Sequence, residues 1–182
     1  MHVLSPPYSI VILSLFGTVI LKPLMMARIF VTGSSDGIGQ HLARALIAQG
    51  HSVTLHARNT ARGETAVATV PGAEGILIGD LSSIVDVKAL AAEANKTGIF
   101  DTVFHNAGVG FRDDYHKSAD GLPMEFAVNV LATYLLTALI TKSKNLVYMS
   151  SGMHSHGDGS LEDVSWSSGR AWDGMQAYSD SK

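Results

Sequence analysis

The stretch Thr32-Gly33-Ser34-Ser35-Asp36-Gly37-Ile38-Gly39 decides how this chain is read. It follows a short β-rich run, Arg28 to Thr32. It opens into a helical pattern with Ile38, Leu42, Ala45 and Leu46 as the expected apolar face and Gly50 as the stop. Glycines here allow a tight turn between strand and helix, and the helix start offers unpaired N–H groups to an anion. The spacing is G-x-x-x-G-x-G, not the commonest dinucleotide spacing G-x-G-x-x-G. A plain glycine turn is therefore an open alternative at this point.

Outward from the loop, strands and helices alternate. Strands are expected at Ser52 to Ala57, Gly75 to Gly79, Thr102 to His105 and Asn145 to Ser150. Helices are expected at Thr60 to Val70, stopped by Pro71-Gly72, and at Gly121 to Thr141. Ser83 with Asp86 forms a capping-box start for a further helix, whose apolar face is Ile84, Val87, Leu90, Ala91 and Ala94. A polar loop rich in Gly, Ser and His follows, and a last helix begins near Tyr178. This alternation predicts an α/β fold: a doubly wound parallel sheet, covered on both faces, with ligands at the carboxyl ends of the strands.

The chain has 182 residues, 46% hydrophobic and 16% charged, with a formal net charge of −3 and no Cys. That length suits one domain of about 100–200 residues, placed at residues 26–182. The apolar content excludes intrinsic disorder, and the mild negative balance argues against nucleic-acid binding. Without Cys there is no disulfide scaffold, Cys-ligated zinc or Cys nucleophile. A reducing, cytoplasmic setting fits. Residues 1–25 differ from the rest. Ile10 to Leu21 is an uncharged run of 12 residues; as a helix it would span about 18 Å, short of the ~30 Å hydrocarbon core. Three readings are open: an extension upstream of a start at Met25 or Met26, a membrane anchor, or a targeting or disordered segment. The first is favoured, because Met26 runs straight into a strand and the glycine loop. Membrane contact is expected only through residues 1–25. At the other end the pattern breaks off just as a helix begins, so the chain is read as truncated at Lys182. Alone it is expected to be poorly stable and inactive.

Charge at the end of the second strand separates cofactors. NAD sites place a carboxylate there for the ribose 2′-OH. Here Ala57 and Arg58 stand in its place, and a guanidinium suits a 2′-phosphate, so NADP is expected over NAD. A solvated surface Arg58 is the alternative, and Arg62 is expected to be exposed. Asp80, followed by Leu81, could accept from an adenine amino group or simply start a helix. Asn106-Ala107-Gly108 after the fourth strand is a small turn that lets a cofactor pass close.

Tyr178 and Lys182 have the spacing Y-x-x-x-K, which places both on one helix face. An ammonium beside a phenol favours the phenolate, which suits acid–base work. Ser150-Ser151 ends a strand, where a hydroxyl could hold a carbonyl. Asn129 sits inside a helix that Asn disfavours, so a special role is plausible beside that of a satisfied buried amide. His154, His156 and Asp158 lack further ligands, so no metal is expected. Trp166 and Trp172 are expected to pack their loop rather than line a substrate pocket.

Taken together and in this order, these motifs resemble the short-chain dehydrogenase/reductase family. They are T-G-x-x-x-G-I-G at Thr32 to Gly39, D-L at Asp80, N-A-G at Asn106 to Gly108, the helical Asn129, the serine pair and Y-x-x-x-K. The resemblance covers Arg28 to Lys182. It implies a Rossmann-type fold, a catalytic tetrad of Asn129, Ser151, Tyr178 and Lys182, and a cofactor held by Thr32, Gly33, Ser35 to Gly39, Arg58, Asp80, Leu81, Asn106 to Gly108, Tyr178 and Lys182. It implies reversible carbonyl reduction on a small-molecule substrate, and homo-oligomers. Two departures stand out. His105 replaces the first Asn of N-N-A-G, and the 27-position gap from Ser151 to Tyr178 resembles the retinol-dehydrogenase-like branch.

Overall fold

The computed structural model describes residues 11–14, 17–20, 26–160 and 162–182. Near the N-terminus, β1 (Val11–Ser14) and β2 (Gly17–Ile20) pair antiparallel. The extension, anchor and targeting readings of residues 1–25 otherwise fall outside the described residues. Among the described residues no helix is long and apolar enough to cross a membrane.

Five parallel strands form the main sheet: β3 (Arg28–Val31), β4 (Ser52–Ala57), β5 (Gly75–Ile78), β6 (Thr102–His105) and β7 (Asn145–Tyr148). Their order is β5-β4-β3-β6-β7. Alternate side chains leave opposite faces of each strand. Ile29 and Val31 join Val53, Leu55, Ala43 of α1 (Gly37–Ala48) and Ala66 of α2 (Thr60–Thr69) in one core. Phe30 points the other way, into a core with Phe100, Val103, Leu136 and residues of α3 (Ile84–Lys96). The chain runs outward from β3 to β5, then crosses back to β6. The connections leaving the paired ends of β3 and β6 therefore run in opposite directions, which is where a doubly wound sheet opens a crevice.

Most element limits agree with the sequence reading: β4 and β6 coincide with it, and α3 is capped by Ser83, whose hydroxyl accepts from Asp86 N–H. Four details are corrected. First, the buried face of α1 is turned. Gly39 and Ala43 are buried, Ala45 is exposed, and Ile38 is 72% exposed. Gly39 has to abut Gly33 and Asn106, and that contact sets the helix rotation. Second, the helix expected from Gly121 begins at Met124. Gly121 has φ +79°, and Pro123 pairs with Lys117, so the chain is still turning there. Third, that helix is π-helical over Phe126–Ala132 before continuing as α4 (Thr133–Leu139). Fourth, α5 (Gly174–Asp180) starts a turn before Tyr178, because Asp173 caps it by accepting from Gln176 N–H.

Candidate active site

The glycine loop and the Asn106 turn interlock at the crevice. Thr32 is buried; its Oγ1 donates to Phe104 O and accepts the N–H groups of Asn106 and Ala107, both at 3.0 Å. Asn106 Nδ2 donates to Thr32 O at 2.9 Å and Gly33 O at 3.1 Å. Gly33 turns with φ +62°, and a Cβ there would stand 2.8 Å from Ala107 Cα. Two motifs far apart in sequence thus form one rigid seat, and two positions in it admit only glycine.

A cavity of about 730 Å³ opens above this seat. Its walls include Gly33, Ser35, Asp36, Gly37, Ile38 and Gly39, then Arg58, Asp80 and Leu81, then Asn106, Ala107 and Gly108. Ile38, misplaced in the core by periodicity, belongs to this wall. Thr32 braces the loop from behind. Asp80 Oδ1 accepts from Ser82 N–H and Oγ–H, so one carboxylate oxygen closes the turn. Arg62 is exposed, and it pairs with Asp36 at the cavity rim.

His56 was passed over in the sequence because it sits in the apolar run Val53 to Ala57 without a motif. It also lines the cavity. Its Nδ1 accepts Gly33 N–H at 2.9 Å, and its Nε2 meets Gly79 O at 2.9 Å.

At the other end of the cavity, Gly108 meets Lys182, which lies just past the end of α5 and not, as the Y-x-x-x-K spacing predicted, on a helix face shared with Tyr178. A Cβ on Gly108 would lie 3.1 Å from Lys182 Nζ and 3.2 Å from Asn129 Oδ1. Lys182 Nζ is 5.5 Å from the centre of the Tyr178 ring, and burial lowers the pKa of Lys182 below the ordinary lysine range. Asn129 lies in the π-helical stretch, a deviation often found at functional positions. Its Oδ1 accepts Val109 N–H at 2.8 Å, while Nδ2 donates to Val109 O and Ser181 Oγ. Its amide thus joins the helix, the Gly108 segment and α5. Ser151 Oγ accepts from Met153 N–H and caps the 3₁₀ turn Gly152–His156. It is Ser150, whose hydroxyl donates to Lys182 O, that shares a small cavity of about 140 Å³ with Asn129 and Lys182. Phe111 meets the Tyr178 ring edge-on at 6.4 Å, a neighbour that no sequence pattern announced.

His105 lines the same small cavity. Thr137 Oγ1 donates to Thr133 O, so it accepts from His105 Nε2–H at 3.2 Å, and His105 Nδ1 has no partner among the described residues. Tyr148 stacks on the ring at 4.9 Å. Burial lowers the His105 pKa from 6.5 to about 4. The unfolded chain takes up this proton near 6.5 and the folded chain only near 4, so stability falls as pH drops through that window. The expected loss is about 3 kcal/mol. Urea unfolding across that range will measure it, and His105→Asn will reduce the slope, leaving the share of the buried His56; an unchanged slope in that variant would assign the effect elsewhere.

Trp172 packs between Tyr115 and Trp166 at 4.9 and 4.8 Å, its ring tilted by 54° and 58° to theirs, and its Nε1–H donates to Arg112 O at 3.1 Å. Arg170 lies over Trp166 at 3.5 Å. Trp172 therefore packs the loop, whereas Trp166, contrary to the sequence expectation, also lines a cavity of about 170 Å³ with Phe126, Val130, Ala177 and Ser181. His154 Nδ1 meets Ser151 O, and His156 Nδ1 meets Ser155 Oγ. Among the described residues no three His, Asp or Glu side chains gather as a metal site.

The profile of the family described as short chain dehydrogenase matches residues 27–182. An uncharacterized oxidoreductase of Emericella nidulans is 56% identical over 145 residues, covering 78% of this chain and 57% of that protein. Human retinol dehydrogenase 14 is 30% identical over 179 residues, covering 85% of this chain and 52% of its own. A crystal structure of an uncharacterized Mycobacterium paratuberculosis protein superposes with a TM-score of 0.76 at 30% identity, covering 86% of this chain and 57% of that one. The chain thus spans little more than half the length of these relatives. With the sheet order, the interlocked glycine seat and the profile match in agreement, the chain belongs to the short-chain dehydrogenase/reductase family, oxidoreductases on an NAD(P)-binding Rossmann fold.

Proposed function

We propose that the chain carries the cofactor seat and catalytic tetrad of an NADP-dependent oxidoreductase that interconverts a small carbonyl compound and its alcohol. The observation that carries this reading is the placement of Gly108, which lines the large cavity and also lies against Lys182 Nζ and Asn129. A cofactor seated on the glycine loop would thereby end beside Tyr178 and Lys182. The residues present fit such a group. Only glycine suits the seat at Gly33 and Gly39, the N-terminus of α1 opens onto the cavity where it would favour an anion, and Arg58 lines the same cavity.

NADPH, when bound, supplies the hydride. Tyr178 donates its phenolic proton to the carbonyl oxygen, and the nearby Lys182 ammonium stabilises the charge left behind. Ser151 holds the carbonyl oxygen once its hydroxyl turns from Met153. Asn129 keeps one lone pair of Oδ1 for a water that returns the proton. In this proposal the domain is residues 26–182. The enzyme works as a homo-oligomer in the cytoplasm, with membrane attachment through residues 1–25 as the alternative.

Arg58 tests the cofactor choice. A bidentate charge-assisted pair contributes about 1.5–3 kcal/mol. Arg58→Ala will therefore raise the Kd for NADPH about 10–100-fold and leave that for NADH nearly unchanged. Parallel loss of both would point to a structural role for Arg58, and the Asp36–Arg62 pair would become the discriminating element. Tight NADPH binding without turnover on any carbonyl would favour a cofactor-sensing protein.

A further inference from the structure

His56 stands between three consecutive strand ends on the adenosine side of the cavity. It is 3% exposed. Its backbone N–H donates to Ser34 Oγ at 2.8 Å, and its carbonyl accepts Ser34 N–H at 3.1 Å. Its ring accepts Gly33 N–H at Nδ1. A backbone N–H can only donate, so Nδ1 bears no proton. Gly79 O can only accept, so Nε2 bears one. The surroundings thus demand the neutral ring in a single tautomer. Gly33 is consequently gripped from both sides, by Asn106 Nδ2 on its carbonyl and by His56 on its N–H. Gly79, the other anchor, precedes Asp80 on the cavity wall.

We propose that His56 is a positioning residue for the dinucleotide: its neutral ring sets the glycine loop against the end of β5, and protonation releases that loop and weakens cofactor binding. A proton on Nδ1 would face the Gly33 N–H head-on, and the loop would have to move. Burial opposes that proton, lowering the ring's pKa. The charged groups about it are Asp80 after β5, which favours protonation, and Asp36, Arg58 and Arg62 around the same cavity. Phe30 of β3 contributes an uncharged ring edge at 6.4 Å.

The inference rests on the NADP reading, and the test separates the two. Imidazole NMR of the protein without cofactor reads the tautomer and its titration, and NADPH titrations read Kd against pH. A neutral Nε2–H ring is expected. Because burial lowers the ring's pKa, the wild-type Kd for NADPH is expected to rise only once pH has fallen beneath the ordinary histidine range, where the folded ring takes up its proton. His56→Leu, which removes both ring contacts, is expected to raise Kd about tenfold at neutral pH. His56→Asn keeps an acceptor for Gly33 and is expected to lose less affinity. Both variants should lose the acid dependence that exceeds titration of the cofactor's own 2′-phosphate, which lies at about 6. An Nδ1–H tautomer, or an acid limb as large in His56→Asn as in the wild type, would overturn the proposal even if His56→Leu fails to fold. Absence of NADPH binding in the wild type, with the expected tautomer and titration present, would overturn the cofactor reading alone.

Discussion

Tyr178→Phe will cut carbonyl reduction by about 10²–10⁴-fold while leaving the Kd for NADPH within about twofold. The substitution removes one oxygen and keeps the ring. The packing against Phe111 and the approach of Lys182 depend on the ring and the backbone, so both survive. The lost atom is the proton donor to the developing alkoxide. Lys182→Ala should behave differently, weakening NADPH binding as well, because Nζ lies beside Gly108 at the end of the cofactor cavity. Both variants need measuring in the protein as isolated from its source, with calorimetric NADPH titrations alongside turnover. Equal turnover in Tyr178→Phe would sink the proton-donor assignment.

Gly39→Ala is expected to abolish NADPH binding at concentrations where the wild type is saturated, with Kd raised more than about 100-fold, and to destabilise the fold by about 1–3 kcal/mol. Even one methyl group at position 39 would overlap Gly33 O and Asn106 Nδ2. Neither neighbour is the end of a flexible side chain free to retreat: the first is backbone, and the second bonds Thr32 O and Gly33 O. Relief therefore requires α1 to shift away from β6, which spoils the anion seat at its N-terminus. Gly37→Ala makes a useful contrast. A Cβ there meets nothing within 4 Å, so its cost comes from φ +53° alone. Comparable losses in the two variants would show that conformational strain, and not overlap, governs the loop.

Local chemistry made much of this architecture legible. Gly50, Pro71-Gly72 and the Ser83 cap stop and start elements by backbone preference, and the structure follows them. The glycine seat was readable from its place between a strand and a helix start, although its spacing alone left a plain turn open. What escaped depends on contacts between distant segments. The rotation of α1 is set by Gly39 against Asn106, and hydrophobic periodicity carries no information about that meeting. The π-helical register around Asn129 has no composition signal, since Phe126-Ala127-Val128-Asn129-Val130 reads as an ordinary helix core. His56 and Phe111 act through neighbours more than 20 residues away in sequence, respectively at Gly33 and Tyr178. Ser151 was chosen over Ser150 by resemblance, and the two hydroxyls in fact face different partners.

The tryptophan pair gives the molecule an optical consequence. The chain has two tryptophans, and they touch each other, so its indole emission comes from one place. That place is fastened to the Arg112 carbonyl, and Arg112 borders the cofactor cavity. A reduced nicotinamide entering the cavity absorbs where indole emits. Cofactor arrival will therefore register as quenching of the protein's own light, with no label attached, and a shift in emission colour will report the loop's contact with Arg112 loosening.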